Sequence, residues 1–438
     1  MGKKKREILA ITAVLLIAAS AGLLFLLNRS KGRALARQEA ALELLGTDAI
    51  CIGDEVIKPV QADAEIGGRT YTVHPEGSGI VRITDMEQSV IVLPDDTVSA
   101  EITVFSGEET VFSGNEEGFR SFYPENGKYR LLVRCRVQPD AVTSKGEEFT
   151  FEGTEEYIAE LEYDVPMKIS FESDRIREGS VMTVNASGVR GEVVISAGEV
   201  LAPFPLVTDE RGYGRGLFSV SYITPPGTYT GFIETREGTS EFSFTIEEKQ
   251  YTVQHLIISE ETQSATIGNS DNRDAYNEMI DKTYYSWYPE RFYDDCFTQP
   301  VDGVVTTEFG LFRYTNDNPV PTRHAGVDLA EDEGTPVLAA ASGYVIAAGY
   351  NGVSGNTVVM DHGFGVRTYY FHMAELCVQE GEFVEEGIEI GKVGATGYAT
   401  GPHLHFNLMV HDNSVDPWAA FNGTSGIFRL DRNGGAQP

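Results

Sequence analysis

The stretch His403-Leu-His-Phe406 near the C-terminus decides how this chain is interpreted, together with His324-Ala-Gly-Val-Asp328 upstream. Alternate residues of an extended strand point to the same face, so the two histidines of the first stretch face one cavity. The second stretch supplies a third imidazole and a carboxylate. Two histidines, a carboxylate and an open fourth position are a recurrent arrangement for a catalytic zinc ion. The two stretches therefore predict a metallohydrolase.

Each pair of polar residues has an ordinary explanation when it is taken alone. His324 and Asp328 could be a surface histidine and a capping aspartate, and His403 and His405 could be two ordinary strand histidines. However, six of the eight histidines lie in the last third of the chain. Glycines are dense there between β-branched runs, a pattern typical of tight hairpins. Together the two pairs in this β region favour the metal site.

The motifs around these histidines resemble the lysostaphin-like (beta-lytic, LytM-type) zinc metallopeptidases, over residues 299–420. The resemblance implies a mainly β chain that ends in an antiparallel β metallopeptidase domain of the duplicated hybrid motif type. The motifs that carry it are Glu308-Phe-Gly310, Arg323-His-Ala-Gly-Val-Asp328, Gly334-Thr-Pro-Val337, Gly355-Asn-Thr-Val358, Asp361-His-Gly363, Tyr370-Phe-His372, Gly394-Ala-Thr-Gly397 and Thr400-Gly-Pro-His-Leu-His-Phe406.

The resemblance also implies the roles of five side chains. His324, Asp328 and His405 match the family's ligands for a Zn²⁺ cofactor, and His372 and His403 match its two catalytic histidines that do not bind the metal. One neutral imidazole can take a proton from water, and an imidazole N–H can stabilise an oxyanion. We expect His403 to be the base and His372 the oxyanion stabiliser, although the sequence does not divide these roles.

Three other polar residues of this region are expected to have no direct role in metal binding or catalysis. His362, in Asp361-His-Gly, aligns with a turn position of the family and is expected to be structural. His411 is expected to be an exposed loop residue. Asn407 follows His403-Leu-His-Phe406, at a position where many relatives carry Glu, and it alternates away from the ligand face, so we expect it to affect metal binding little.

The function implied by the resemblance is zinc-dependent endopeptidase activity on peptidoglycan, at peptide bonds in bacterial cell-wall cross-links or stems. The alternative is a non-enzymatic scaffold or regulator, an amidase activator or sporulation-channel component that uses the peptidase fold for binding. Because all five polar positions are present, the enzyme is favoured. A general zinc protease is a third hypothesis, but the chain lacks the His-Glu-x-x-His helix of that group.

The charge of the chain argues against nucleic acid as a partner. The net charge is −32, and residues 1–40 carry eight Lys or Arg residues against two Glu residues, so the remainder is more acidic still. Phosphate contacts need clustered positive charge, which this remainder does not offer. We attribute the acidic surface to solubility.

A run of twenty uncharged and mostly apolar residues, 8–27, follows four consecutive basic residues. This length matches a membrane-spanning helix. Three basic residues (Arg29, Lys31 and Arg33) precede the nearest small-residue site and argue against signal cleavage. We expect a single-pass anchor in the cell membrane with the C-terminal domains outside the cytoplasm, where peptidoglycan lies.

The remaining organisation follows from alternating hydrophobic runs and turn residues. The β domains in front of the peptidase are expected to be spacers or binding sites for cell-envelope proteins. We predict a cytoplasmic tail at 1–7, an anchor at 8–27, a helical stalk at 28–50, a β domain at 51–164, an Ig-like β-sandwich at 165–248, a connector with a short helix (Asp271–Lys282) at 249–298, the zinc metallopeptidase domain at 299–421 and a flexible tail at 422–438.

The four cysteines are far apart and form no Cys-x-x-Cys motif, which excludes a zinc knuckle of that type. Cys135 lies on the apolar face of an alternating run and is expected to be a buried small hydrophobe. The sequence does not decide whether these cysteines form disulfide bonds, which are able to form outside the cytoplasm.

Overall fold

The computed structural model describes residues 26–430, except 67, 285, 295 and 317. The predicted cytoplasmic tail, residues 8–25 of the predicted anchor and the end of the predicted tail lie outside the described residues. Among the helices of the described part, none has both the length and the apolar composition needed to cross a bilayer. The anchor therefore stays a prediction.

The chain divides into two compact units, with the boundary between Pro166 and Met167. The described part of the first unit starts with a helix over residues 26–44 (α1). Ala41 of this helix and Leu45, which follows it, pack into a small core with Ala62, Ala64 and Phe151. A short helix, α2 (Glu116–Arg120), lies between strands. The strands are β1 (Ile50–Ile52), β2 (Glu55–Ile57), β3 (Gln61–Ile66), β4 (Arg69–Val73), β5 (Gly79–Ile83), β6 (Ile91–Val92), β7 (Thr97–Ser106), β8 (Glu109–Gly114), β9 (Gly127–Val137), β10 (Asp140–Val142), β11 (Glu148–Thr150) and β12 (Glu152–Tyr163).

The main sheet of the first unit has the order β4-β3-β12-β9-β7-β8, and β5 pairs with β12 in parallel. The alternation in β9 places Leu131, Val133, Cys135 and Val137 in the core. Cys135 is a buried free cysteine, as predicted, and burial raises the pKa of its thiol to about 12.

The second unit begins with two sheets that enclose one apolar core. Their orders are β13-β15-β19-β18 and β14-β21-β20-β16-β17, and both contribute side chains such as Val184, Phe218 and Phe244 to the core. This is a β-sandwich, and its Ig-like assignment stays a prediction. Its strands are β13 (Lys168–Phe171), β14 (Arg175–Arg177), β15 (Val181–Ser187), β16 (Val194–Ser196), β17 (Phe204–Pro205), β18 (Val207–Thr208), β19 (Gly214–Ser219), β20 (Gly227–Thr235) and β21 (Gly238–Glu247).

The strands of the predicted peptidase domain and its connector follow in the same unit, and they are called the peptidase region below. Its large sheet has the order β23-β26-β34-β30-β29-β28-β32, with β35 beside β34, and two three-stranded sheets have the orders β22-β24-β25 and β27-β33-β31. The predicted short helix forms as α4 (Ser270–Tyr284), preceded by α3 (Glu260–Ala265), and α5 (Pro417–Phe421) is near the end. The strands are β22 (Val253–Leu256), β23 (Val304–Thr307), β24 (Phe312–Thr315), β25 (Thr322–Arg323), β26 (Val327–Ala330), β27 (Pro336–Leu338), β28 (Gly343–Asn351), β29 (Gly355–Asp361), β30 (Val366–Met373), β31 (Glu375–Leu376), β32 (Phe383–Val384), β33 (Glu389–Lys392), β34 (Leu404–Val410) and β35 (Asn413–Val415).

The β-sandwich and the peptidase region share a core. Leu217 and Tyr222 of the sandwich are buried in the same apolar cluster as Val327 and Leu329 of β26. Asn413 donates from Nδ2 to the backbone oxygens of Val200 and Ser219, at 3.1 and 3.2 Å. Hence the sandwich is packed directly on β35 of the peptidase region.

His411 lies in a loop, as predicted, but the prediction that it is exposed is wrong, because its side chain is half-buried. Its Nε2 donates to the Leu217 carbonyl at 3.0 Å, and its ring stacks on Phe204 with centroids 4.3 Å apart. Burial lowers the pKa of His411 to about 4. The packing of the β-sandwich, which the loop sequence does not reveal, covers much of this side chain.

Candidate metal centre

Strand pairing brings the three predicted ligands together. Asp328 lies in β26 and His405 in β34, and these antiparallel strands place the two residues directly opposite each other. Opposed residues of an antiparallel pair project from the same face of the sheet. His324, at the end of the β25 hairpin, reaches the same face from the side. All three side chains are buried, with 5–9% of each residue exposed.

The three donor atoms converge on one point. His405 Nδ1 is 2.8 Å from Asp328 Oδ1, and His324 Nε2 is 2.9 Å from the same oxygen. The two imidazole nitrogens are 3.0 Å apart. Neighbouring ligands of a tetrahedral zinc ion with bonds of roughly 2.0–2.1 Å lie about 3.3 Å apart. Small outward movements of these atoms would therefore accommodate the ion.

The protonation states also fit a metal site. His324 Nδ1 is 3.1 Å from the carbonyl oxygen of Glu308, which can only accept, so the proton is on Nδ1 and Nε2 presents a lone pair. Burial opposes ionisation of Asp328, but its interactions with the neighbouring imidazoles of His324 and His405 outweigh burial and hold the pKa of Asp328 well below its usual range. Burial lowers the pKa of His405 to about 4. A carboxylate and neutral imidazoles are the ligand forms that bind a cation.

His372 and His403 stand beside this cluster, with ring centroids 4.9 Å apart. His403 Nε2 is 3.9 Å from Asp328 Oδ1, and its Nδ1 donates to the Gly401 carbonyl at 2.8 Å. His372 adopts a left-handed backbone conformation, with φ of 64°, and its Nδ1 donates to the Thr396 carbonyl at 2.8 Å. A carbonyl oxygen can only accept, so Nδ1 carries a proton in both rings, and the neutral form of each ring has Nε2 as an acceptor.

The hydrogen bonding of His372 bears on its predicted role. Burial, together with the neighbouring imidazoles of His403 and His405, lowers the pKa of His372 to about 3. The neutral ring accepts at Nε2 and cannot donate to an oxyanion from that atom. The structure thus favours His372 as a hydrogen-bond acceptor, and the division of roles between the two histidines stays a prediction.

His362 lies apart from the metal cluster. Its Nδ1 donates to the Ser342 carbonyl at 2.8 Å, and its Nε2 is 2.7 Å from the Thr368 hydroxyl. Burial lowers its pKa to about 4. A buried, fully bonded imidazole agrees with the predicted structural assignment. Asn407 is also buried, and its Nδ2 donates to Ser414 Oγ at 3.3 Å, away from the three ligands.

The metal cluster forms the floor of a cavity of about 380 Å³. The connector supplies part of its wall, through Gln254 and Leu256 of β22 and Tyr276 of α4. Arg313 is the one Lys or Arg among the described residues that line the cavity. The sequence did not identify these wall residues, because no local pattern relates β22, α4 and β24 to the histidine motifs.

Comparison with known proteins agrees with this geometry. The model of Peptidase family M23 matches residues 322–417, which include all five predicted site residues. Peptidoglycan DD-endopeptidase ShyB of Vibrio cholerae is 36% identical over 124 residues, 28% of this chain and 29% of ShyB. DD-carboxypeptidase/endopeptidase Mpg of Neisseria meningitidis is 38% identical over 109 residues, 25% of each chain. ShyA of Vibrio cholerae is 39% identical over 106 residues, 24% of this chain and 25% of ShyA.

Among solved structures, a putative peptidase M23 from Pseudomonas aeruginosa has a TM-score of 0.41 and 26% identity, and covers 56% of this chain and 94% of its own. The catalytic domain of lysostaphin from Staphylococcus simulans has a TM-score of 0.23 and 29% identity, and covers 32% of this chain and 96% of its own. The chain spans only 25–29% of the length of the three curated relatives above. Residues 322–417 of this chain are a domain of peptidase family M23, the lysostaphin- and LytM-type family that its motifs resemble.

Proposed function

We propose that this protein is a zinc-dependent peptidoglycan endopeptidase that hydrolyses peptide bonds in bacterial cell-wall cross-links or stems. The observation that carries the proposal is the convergence of His324 Nε2, Asp328 Oδ1 and His405 Nδ1 within 3.0 Å of one another. Two further imidazoles stand beside them in an open cavity. The names of ShyB and ShyA, which are peptidoglycan DD-endopeptidases, support the substrate class.

His324, Asp328 and His405 would hold the zinc ion. When bound there, zinc lowers the pKa of a coordinated water towards 7 and polarises a peptide carbonyl. The chain's contribution is to fix three deprotonated donors in a buried position, with a backbone carbonyl orienting His324. Such outer partners fix the tautomer and direction of a ligating imidazole.

His403 is suited to act as the base. Its Nε2 carries a lone pair, and the ionised Asp328 at 3.9 Å would stabilise the imidazolium that forms when this nitrogen takes a proton. The same nitrogen can then return the proton to the departing amine. His372 is less suited to protonation because it is buried among other imidazoles. Its Nε2 can instead orient the water or a substrate N–H by accepting a hydrogen bond.

We also propose the location implied by the sequence. The apolar run at 8–27 would anchor the protein in the cell membrane, with the two described units on the side of the cell wall. The acidic composition supports a substrate other than nucleic acid. The first unit would extend the enzyme from the membrane or bind other envelope proteins.

The test uses the full-length protein and purified peptidoglycan, with mass spectrometry of the soluble products. We expect new muropeptides from the wild type and none from His405→Ala, and the masses will name the bond that is cut. Zinc content is measured in parallel. If wild-type protein holds zinc but releases no product, the scaffold or regulator hypothesis replaces the enzyme.

A further inference from the structure

Arg313 connects the metal-binding aspartate to the strand of the connector. Its Nη2 donates to Asp328 Oδ2 at 3.1 Å and to Thr307 Oγ1 at 3.2 Å. Its Nε donates to Oε1 of Gln254, on β22, at 3.2 Å. The side chains of Arg313 and Asp328 are 20% and 8% exposed, so this ion pair is largely shielded from solvent.

The two carboxylate oxygens of Asp328 therefore have separate partners. Oδ1 faces His324 and His405, whereas Oδ2 faces the guanidinium of Arg313. A carboxylate can bind a metal through one oxygen or through both. A charge-assisted hydrogen bond to one oxygen competes with the metal for that oxygen. The rigid fork of arginine can hold Gln254 and the carboxylate at once, which the single ammonium of lysine cannot reproduce.

We propose that Arg313, oriented by Gln254, is a positioning residue that restricts Asp328 to binding the metal through Oδ1 alone. The inference rests on the proposed function, because it concerns the zinc site of that enzyme. Its consequence is that a coordination position stays available for water and substrate, as catalytic zinc sites require.

The residues that hold Asp328 Oδ2 lie outside the part of the chain that the family model matches. Gln254, Thr307 and Arg313 all precede residue 322, where the match begins. Gln254 is also held from its other end, since its Nε2 donates to the Thr306 carbonyl at 3.4 Å. The connector strand thus contributes to the metal site through Arg313 as well as to the wall of the cavity.

The test compares full-length wild type with Arg313→Met, Arg313→Lys and Gln254→Met, each loaded with Co²⁺ and, separately, with Zn²⁺. Four-coordinate cobalt absorbs visible light more strongly than cobalt with additional ligands, so the spectrum reports whether Oδ2 has joined the metal. Lys282→Met is the matched control, because it removes an exposed ion pair with Glu380 that is remote from the cavity lining. Thermal unfolding verifies that each variant is folded.

We expect Arg313→Met to keep its metal, to show weakened cobalt bands, and to lose about tenfold or more in kcat with KM little changed. Gln254→Met should change the spectrum in the same direction by less, and Arg313→Lys should recover part of kcat. An unchanged cobalt spectrum in folded Arg313→Met overturns the proposal, whether or not metal affinity falls. If wild type binds cobalt but cuts no peptidoglycan, the proposed function fails while the spectra still decide this inference.

Discussion

Asp328 and His405 face each other across β26 and β34, with Oδ1 and Nδ1 2.8 Å apart, although 77 positions separate them in the chain. The register of one antiparallel pair thus sets the positions of two of the three predicted ligands. A slip by one residue would turn either side chain to the opposite face of the sheet. The metal site therefore depends on the pairing of these strands as much as on the ligands themselves.

Removal of either of these ligands should abolish both zinc binding and activity. In Asp328→Ala and His405→Ala we expect zinc affinity to fall by more than about 100-fold, beyond the usual effect of changing an outer partner. Competition with a coloured chelator measures the affinity. His362→Asn is a control from the same domain, because His362 is buried without contacting the cluster. Retention of stoichiometric zinc by Asp328→Ala would show that the ligand set is incorrect.

His403→Ala should separate catalysis from metal binding. Loss of a positioned proton acceptor typically costs about 10²–10⁴-fold in rate, so we expect kcat to fall in that range while zinc is retained. Product release from peptidoglycan and zinc content are measured on the same sample. If His403→Ala releases the metal, His403 is a ligand, and the assignment of His405 as the ligand of the His-Leu-His motif is wrong.

His372→Ala should also retain zinc, but His372→Gln should recover part of the activity. The Gln side chain can present an amide oxygen as acceptor, which is the role that the Nδ1–H tautomer of His372 gives to Nε2. The comparison of kcat for the two variants tests this. Equal and complete inactivity of both would argue that His372 must donate or carry a proton, as an oxyanion stabiliser does.

The second unit should lose stability in mild acid. Burial holds the pKa values of His362 and His411 at about 4 in the folded protein, below about 6.5 in the unfolded chain. Between these values the unfolded chain binds more protons, so the free energy of unfolding falls as pH decreases. Each of the two histidines can lower the free energy of unfolding by at most about 3 kcal/mol in this way.

Urea unfolding across this pH window measures the effect, and His411→Phe should reduce the slope. Phenylalanine keeps the stacking on Phe204 but has no titrating nitrogen. A slope that is identical in wild type and His411→Phe would mean that His411 is protonated without cost in the folded protein.

The contact between the β-sandwich and the peptidase region should contribute to stability. Asn413→Ala removes the donor to Val200 and Ser219 and leaves their buried carbonyl oxygens with fewer partners. We expect a loss of about 1–3 kcal/mol in the free energy of unfolding. Asn185→Ala, at an exposed position of β15, is the control. Equal stability of the two variants would contradict the importance of this contact.

The grouping of His324, Asp328 and His405 could be predicted from the sequence because its determinants are local. His403 and His405 are two residues apart, and His324 and Asp328 are four apart, so spacing alone placed them in motifs. The role of Gln254 could not be predicted, because it reaches Asp328 only through Arg313, 59 positions further along the chain. Its polar side chain on a short strand looks like any solvent-facing residue.

The sequence also could not predict that the two faces of β19 are buried in different cores. Leu217 and Phe218 are both buried, although alternation in β19 would bury only one face. The face that carries Leu217 packs on the peptidase region, while Phe218 enters the sandwich core. Alternation identifies the faces of a strand but not the neighbour that covers each face. His411 was misjudged for the same reason.

The shared core limits how domains of this protein can be recombined with those of other proteins. A chimera joined near residue 249 would leave Tyr222 without the ring of Phe309, which lies 5.0 Å away, and would expose the apolar surface that Leu217 covers. A junction at Pro166 and Met167 keeps this surface intact. The exchangeable module of this protein is therefore the sandwich together with its peptidase, and evolution or engineering that moves the peptidase alone must also supply a new cover for it.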